Sequence, residues 1–243
     1  MKVFAARRFV ALSLALFVAG PTATAQVWTK KSWTDWSKSD CQKILSDSPW
    51  AADAGLGTTV MQVVSETSAV PGREAAPSIT YQVRFLSARP VREAMMRLQQ
   101  LDPKYSALPP DQKQKFEAQA KQFIEGDFTD RVVIQVNYGA NTQSYDQVLI
   151  RAWQSQSADV IKNFTYLNPG KITPLAVQVG QAGSKELQFI FPRKAASGES
   201  LIKPDAKEIS LEFASPGIGT LAPDRIFIRF SVKKMVVNGQ LIY

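Results

Sequence analysis

EISLEFASPGIGTLAPDRIFIRFSVKKMVVNGQLIY, residues 208–243, decides the fold class. Glu208–Phe213 and Arg225–Val232 read as strands, short and rich in β-branched and aromatic residues. Pro216–Pro223 divides them with prolines and glycines, the residues that punctuate regular structure. Asn238-Gly239 is the strong hairpin signal, because a type I′ turn needs positive φ at both central residues. It predicts that Val236-Val237 turns back into Gln240–Tyr243. Working outward, Leu187–Phe191, Leu175–Val179 and Asn163–Leu167 also read as strands. Ser197–Asp205, Gly183-Ser184 and Asn168-Pro169-Gly170 separate them.

Upstream of about residue 157 the pattern changes to helices. Trp28–Ala51, WTKKSWTDWSKSDCQKILSDSPWA, holds four of the 5 tryptophans and the single cysteine. Ser37 and Asp40 have the S-x-x-D spacing of a capping box, so a helix is expected from about Lys38 to Asp47. Cys41, Ile44, Leu45 and Ser48 share its apolar stripe, and Ser48-Pro49 ends it. Trp36 and Cys41 take the two positions of a hydrophobic staple, and Trp50 is placed to fold back on the same face. Thr58–Glu66 reads as a first strand. Ser78–Leu86 alternates, with Tyr81, Val83 and Phe85 on one face. Pro90 opens a helix carrying Val91, Ala94, Met95, Leu98 and Leu101, and a Met-bearing stripe of this kind is core-forming. A further helix runs from Asp111 to about Ile124, stopped by Gly126. Arg131–Tyr138 reads as strand and Thr142–Trp153 as helix. Helices first and strands after them argue an α+β fold built on an antiparallel sheet.

Residues 1–25 carry the marks of a secretory leader. Lys2, Arg7 and Arg8 precede the apolar run FVALSLALFVAG, and Ala23 and Ala25 form a small-x-small site with cleavage expected after Ala25. The apolar run is too short to span a bilayer. The remaining residues 26–243 are expected to form one α+β domain, the alternative being a subdivision near 157. Net charge falls from +8 to +5 without the leader, and the positive residues are scattered. Such a mildly basic surface suits an envelope glycan, a peptide or an anionic surface as partner, and no nucleic acid is expected.

Histidine is absent and cysteine single. The first removes the usual general base, the Ser-His-Asp and Cys-His systems and most zinc and copper sites. The second rules out an intramolecular disulfide. PGIGT at 216–220 lacks the lysine and following helix of a phosphate loop. No cofactor, metal site or catalytic residue is therefore expected. The enzymatic alternative is a carboxylate-based, glycosidase-like hydrolase, with Glu66, Glu74, Glu125, Asp127, Asp130 and Asp146 offering pairs. An outer-membrane β protein is a second alternative, disfavoured by the helical first half.

Two groups are candidates for binding. Trp28 and Trp33 lie outside the capped helix beside Lys30 and Lys31, where indoles can form a platform for a sugar ring or peptide. Arg84, Arg89 and Arg92 lie around one strand end and can fork onto a carboxylate or phosphate, or pair locally. Trp36, Ser37, Asp40, Cys41 and Trp50 are expected to be structural. WTDW at 33–36, SPWA at 48–51, RFLSARPVREA at 84–94, FPR at 191–193 and the ending FSVKKMVVNGQLIY together resemble a group of secreted proteins of acidobacterial type with no assigned activity. The resemblance implies a coherent fold and a bacterial envelope setting, and it carries over no catalytic residue. The expected role is that of an exported, non-catalytic binding or accessory module.

Overall fold

The computed structural model describes residues 27–57, 76–181 and 183–243. The leader, its cleavage site and the strand expected at Thr58–Glu66 lie outside the described residues.

The chain begins with α1 (Val27–Lys30), a 3-10 turn at Trp33–Asp35 and α2 (Lys38–Ser46). The capping box of α2 forms as its sequence dictates. Ser37 Oγ accepts the Asp40 N–H (3.1 Å), and the Asp40 carboxylate accepts the Ser37 N–H (3.0 Å). β1 (Ala51–Gly57) follows, then β2 (Ser78–Phe85), α3 (Arg89–Gln100), α4 (Pro103–Ser106), α5 (Pro110–Ile124), β3 (Arg131–Ala140) and α6 (Gln143–Gln154). The last stretch holds α7 (Ala158–Asn163), β4 (Tyr166–Asn168), β5 (Ala176–Val179), β6 (Glu186–Pro192), β7 (Glu208–Ser215), β8 (Asp224–Ser231) and the small pair β9 (Val236–Val237) and β10 (Gln240–Leu241). Helices dominate the first half and strands the second, as an α+β reading requires.

Two local readings change. The strand expected at Asn163–Leu167 starts later, at Tyr166, because Ser157 caps α7 by accepting the Val160 N–H (3.3 Å) and carries helix through Asn163. β1 occupies AADAGLG, a stretch with almost no β-formers. It is a strand because β2 pairs with its whole length, from Ala51 opposite Arg84 to Gly57 opposite Ser78. Tertiary pairing overrides propensity there.

Two antiparallel sheets enclose one core. The larger has the order β1-β2-β3-β6-β5 and takes strands from both sides of residue 157; the smaller is β4-β7-β8. Period-2 alternation sends Tyr81, Val83, Phe85, Ile134, Val136, Leu187 and Phe189 to the buried face of the larger sheet. The smaller sheet contributes Phe213 and Phe230, which meet Tyr81 and Phe85 edge-on at centroid distances of 5.1 and 4.9 Å. Trp153 of α6 closes the same core against Tyr81 and Tyr138. The chain ends in the hairpin that Asn238-Gly239 foretells, with φ values of 49° and 78°.

Candidate functional site

α1 sets Trp28 edge-on against Trp50, centroids 5.1 Å apart at 66°. Trp50 is fully buried, and its Nε1 donates to Ile242 O at 2.6 Å, so Trp28 rests on a ring tied to the residue that follows β10. Trp28 itself is half-buried, and its Nε1 is buried without a hydrogen bond. Trp33 is half-buried against the core cluster. Trp36 and Cys41 are both in the core, in keeping with a staple across the start of α2. Burial pushes the Cys41 thiol up to about 11.

Trp28 forms one wall of a cleft of about 800 Å³ between α1–α2 and the β7–β8 edge, with Ala52 of β1 among its lining residues. That volume falls within the range of small-ligand and peptide sites. Asp40, Lys43 and Asp47 enter it from α2, and Lys207, Glu208, Arg229 and Lys234 from the β7–β8 side. Asp40 is already engaged. The Ser37 N–H holds its carboxyl below the ordinary value, and Lys31 pairs with it at 3.3 Å. Glu208 faces Arg229 at 3.8 Å. Lys43, Lys207 and Lys234 have no ion-pair partner among the described residues, which leaves the cleft with surplus positive charge beside an aromatic wall.

The arginines at 84, 89 and 92 go to separate partners. Arg84 Nε donates to Leu45 O (2.7 Å) at the end of α2, and Nη2 to Gln82 Oε1 (3.1 Å). Arg92 is 5% exposed and donates to the carbonyls of Leu86 (2.9 Å), Ser87 (2.6 Å) and Ile124 (3.0 Å), with its guanidinium 4.4 Å from the Phe128 ring centroid. Burial lowers its pKa to about 10. Arg84 and Arg92 thus cap the negative ends of α2 and α5. Arg89 pairs with Glu93 one turn along α3, at 2.8 Å. Arg193, singled out only as part of FPR, does comparable work at the chain's end. It donates to Tyr243 O (2.9 Å) and Phe128 O (3.2 Å) and stacks 3.9 Å from the Tyr243 ring centroid.

Of the candidate carboxylates, Glu125 and Asp127 meet Arg89 and Arg92 at a second, open cleft of about 640 Å³, and the others are dispersed. Asp146 accepts from the Ala140 N–H (2.6 Å) and pairs with Lys185. Burial opposes its charge, yet those partners hold its carboxyl below the ordinary value. Asp127 accepts from the Thr129 N–H (2.8 Å), Asp130 pairs with Arg131 at 3.0 Å, and Glu125 caps the end of α5. Glu66 and Glu74 lie outside the described residues. Asp53 and Glu186 share one row of the larger sheet, with Gln82 and Asn137 between them. Three strand spacings put their backbones roughly 14 Å apart, beyond the roughly 5–10 Å of a glycosidase pair. Among the described residues no group of three or more metal-ligating side chains gathers.

No family model, no curated protein and no solved structure matches the chain. No helix among the described residues is long and apolar enough to cross a membrane.

Proposed function

We propose that the protein is an exported binding module of a bacterial envelope and that the Trp28 cleft takes an anionic ligand. The observation that carries this is the combination at one opening of an aromatic wall and three lysines without acid partners among the described residues, Lys43, Lys207 and Lys234. The leader-like residues 1–25 support export. An indole offers an apolar face and polarisable edge, while unpaired ammonium groups favour carboxylate or phosphate. Two of the three carboxylates lining the cleft, Asp40 and Glu208, are held by capping and ion pairs, which suits recognition better than bond cleavage.

The test is tryptophan emission titrated separately with polygalacturonate, an acidic peptide and phosphatidylglycerol vesicles. At least one of these is expected to change the emission, with binding weakened at about 0.5 M salt. Replacing Lys43, Lys207 and Lys234 together by Gln should lower affinity about tenfold, at roughly 0.5 kcal/mol for each exposed charge contact. A Trp28→Phe chain that folds should lose most of the emission change. Silence toward all three probes removes the reading.

A further inference from the structure

Asp47 is the one carboxylate lining the Trp28 cleft that nothing holds among the described residues. Its side chain has no ion pair or hydrogen bond there, although Lys43 stands one turn back on the same face of α2, at a spacing where such pairs form. It is also the C-cap of α2. A carboxylate at that position faces the negative end of the helix and opposes its dipole, so the stability of α2 does not account for it. Two hydroxyls line the same opening. Ser48 Oγ accepts the Trp50 N–H (3.2 Å), and its own proton has no acceptor among the described residues. Ser231 Oγ has no hydrogen bond among them. The cleft thus offers three ammonium donors, a free carboxylate acceptor and two hydroxyls beside an indole.

We infer that the occupant of the cleft is a uronate-bearing polysaccharide. This rests on the reading of the cleft as an anion site and names its ligand class. A sugar ring turns a C–H face to an indole, and its hydroxyls donate to a carboxylate and exchange hydrogen bonds with serines. Its own carboxylate pairs with an ammonium group. Lys43 comes from α2, Lys207 from the residue before β7 and Lys234 from the 3-10 turn Val232–Met235, so the positive charge is divided among three elements. A polymer with a carboxylate on each ring matches that division, and its hydroxyls give Asp47 a partner that a bare anion does not.

Two other polyanions fit less well. An extended acidic peptide binds through its main chain at an open strand edge. β8 is the nearest edge, and β1 lies within 8 Å of it, which leaves no slot for a further strand. A bilayer surface takes up apolar side chains at the contact. The exposed large apolar residues Val148, Val160, Phe164, Leu175 and Phe227 all lie outside the cleft lining, and Asp47 would face the lipid charge.

Calorimetric titration of the full mature chain tests this with hexagalacturonate, its methyl ester, acetylated and amidated hexaglutamate of equal charge, and phosphatidylglycerol vesicles. Hexagalacturonate is expected to bind, and each of the other three at least about tenfold more weakly. Asp47→Ala separates a sugar from a bare anion by sign. Loss of a negative charge should strengthen hexaglutamate binding about twofold, while loss of a hydroxyl acceptor should weaken hexagalacturonate binding about fivefold. The substitution takes an acid away from a helix C-terminus, so the fold is expected to hold; should it fail, the ranking of the four probes on the unaltered chain decides. Tighter hexagalacturonate binding by Asp47→Ala overturns the polysaccharide and leaves the anion site standing. So does hexaglutamate or vesicle binding equal to that of hexagalacturonate. Equal binding of the methyl ester, or silence toward all four probes, overturns both readings.

Discussion

β5 and β8 are both edge strands, and the fold treats them differently. β5 has four residues, and α7 packs against it, seated by buried Ile161. The Gly180 N–H to Glu186 O bond (2.8 Å) fixes the β5–β6 phase and leaves Val177 and Val179 main-chain groups on the outer side. At that end Lys162 Nζ reaches Leu175 O at 3.3 Å. Covering the edge moves apolar surface outward, so that Val160 and Phe164 of the α7 segment are 45% and 50% exposed. β8 has eight residues, lies within 8 Å of β1 without forming a ladder to it, and carries Arg225 and Arg229 on its exposed face. One edge is covered by a helix; the other lies beside a strand to which it is not paired and is flanked by charge.

The largest expected effect separates the two faces of β8. Phe230 is 3% exposed and meets Phe85 edge-on. Phe230→Ala should cost about 3–5 kcal/mol, from lost burial plus the cavity left between the sheets. Phe227→Ala, three residues earlier and pointing out, should stay within about 0.5 kcal/mol. Urea midpoints of the two variants measure this directly. Comparable losses would mean that the outward row is packed against something.

Next in size is the cover over β5. Ile161 is 3% exposed, and Ile161→Ala should cost about 2–4 kcal/mol. Its diagnostic consequence is local. Exchange at Val177 and Val179 should quicken more than at central β3, because α7 lifts before the sheet unfolds. A uniform increase across both strands would show α7 to be an integral part of the cooperative core and not a cover.

The difference between these edges was only partly legible in the residues. The capping box at Ser37, the hairpin at Asn238-Gly239 and the alternation of Ser78–Leu86 are local signals, and each forms where the sequence puts it. β1 was hidden because Ala and Gly carry no β signature and its strand character comes from pairing with β2. α7 was hidden because Phe164 and Thr165, which follow the helix, look like the start of a strand. At the candidate site Trp28 was legible as an indole outside the capped helix. Its cationic companions were not, since Lys43 and Lys207 stand far apart in sequence and are brought to one cleft only by the fold. The arginines at 84 and 92 carried an ambiguous signal, because a guanidinium that grips a ligand and one that closes a helix end have the same residue type and spacing. Only the carbonyls of Leu45 and Ile124 distinguish them.

The smallest expected effect asks what holds the β5 cover shut. Lys162→Met keeps most of the aliphatic stem and removes the ammonium that reaches Leu175 O. The contact is solvent-exposed, so its loss should lower stability by less than about 1 kcal/mol. Exchange at Val177 and Val179 should hardly change, because Ile161 still seats the helix. If those two amides instead exchange about tenfold faster, the edge of β5 is held by a charged contact, as the edge of β8 is guarded by one. The two edges would then differ only in degree.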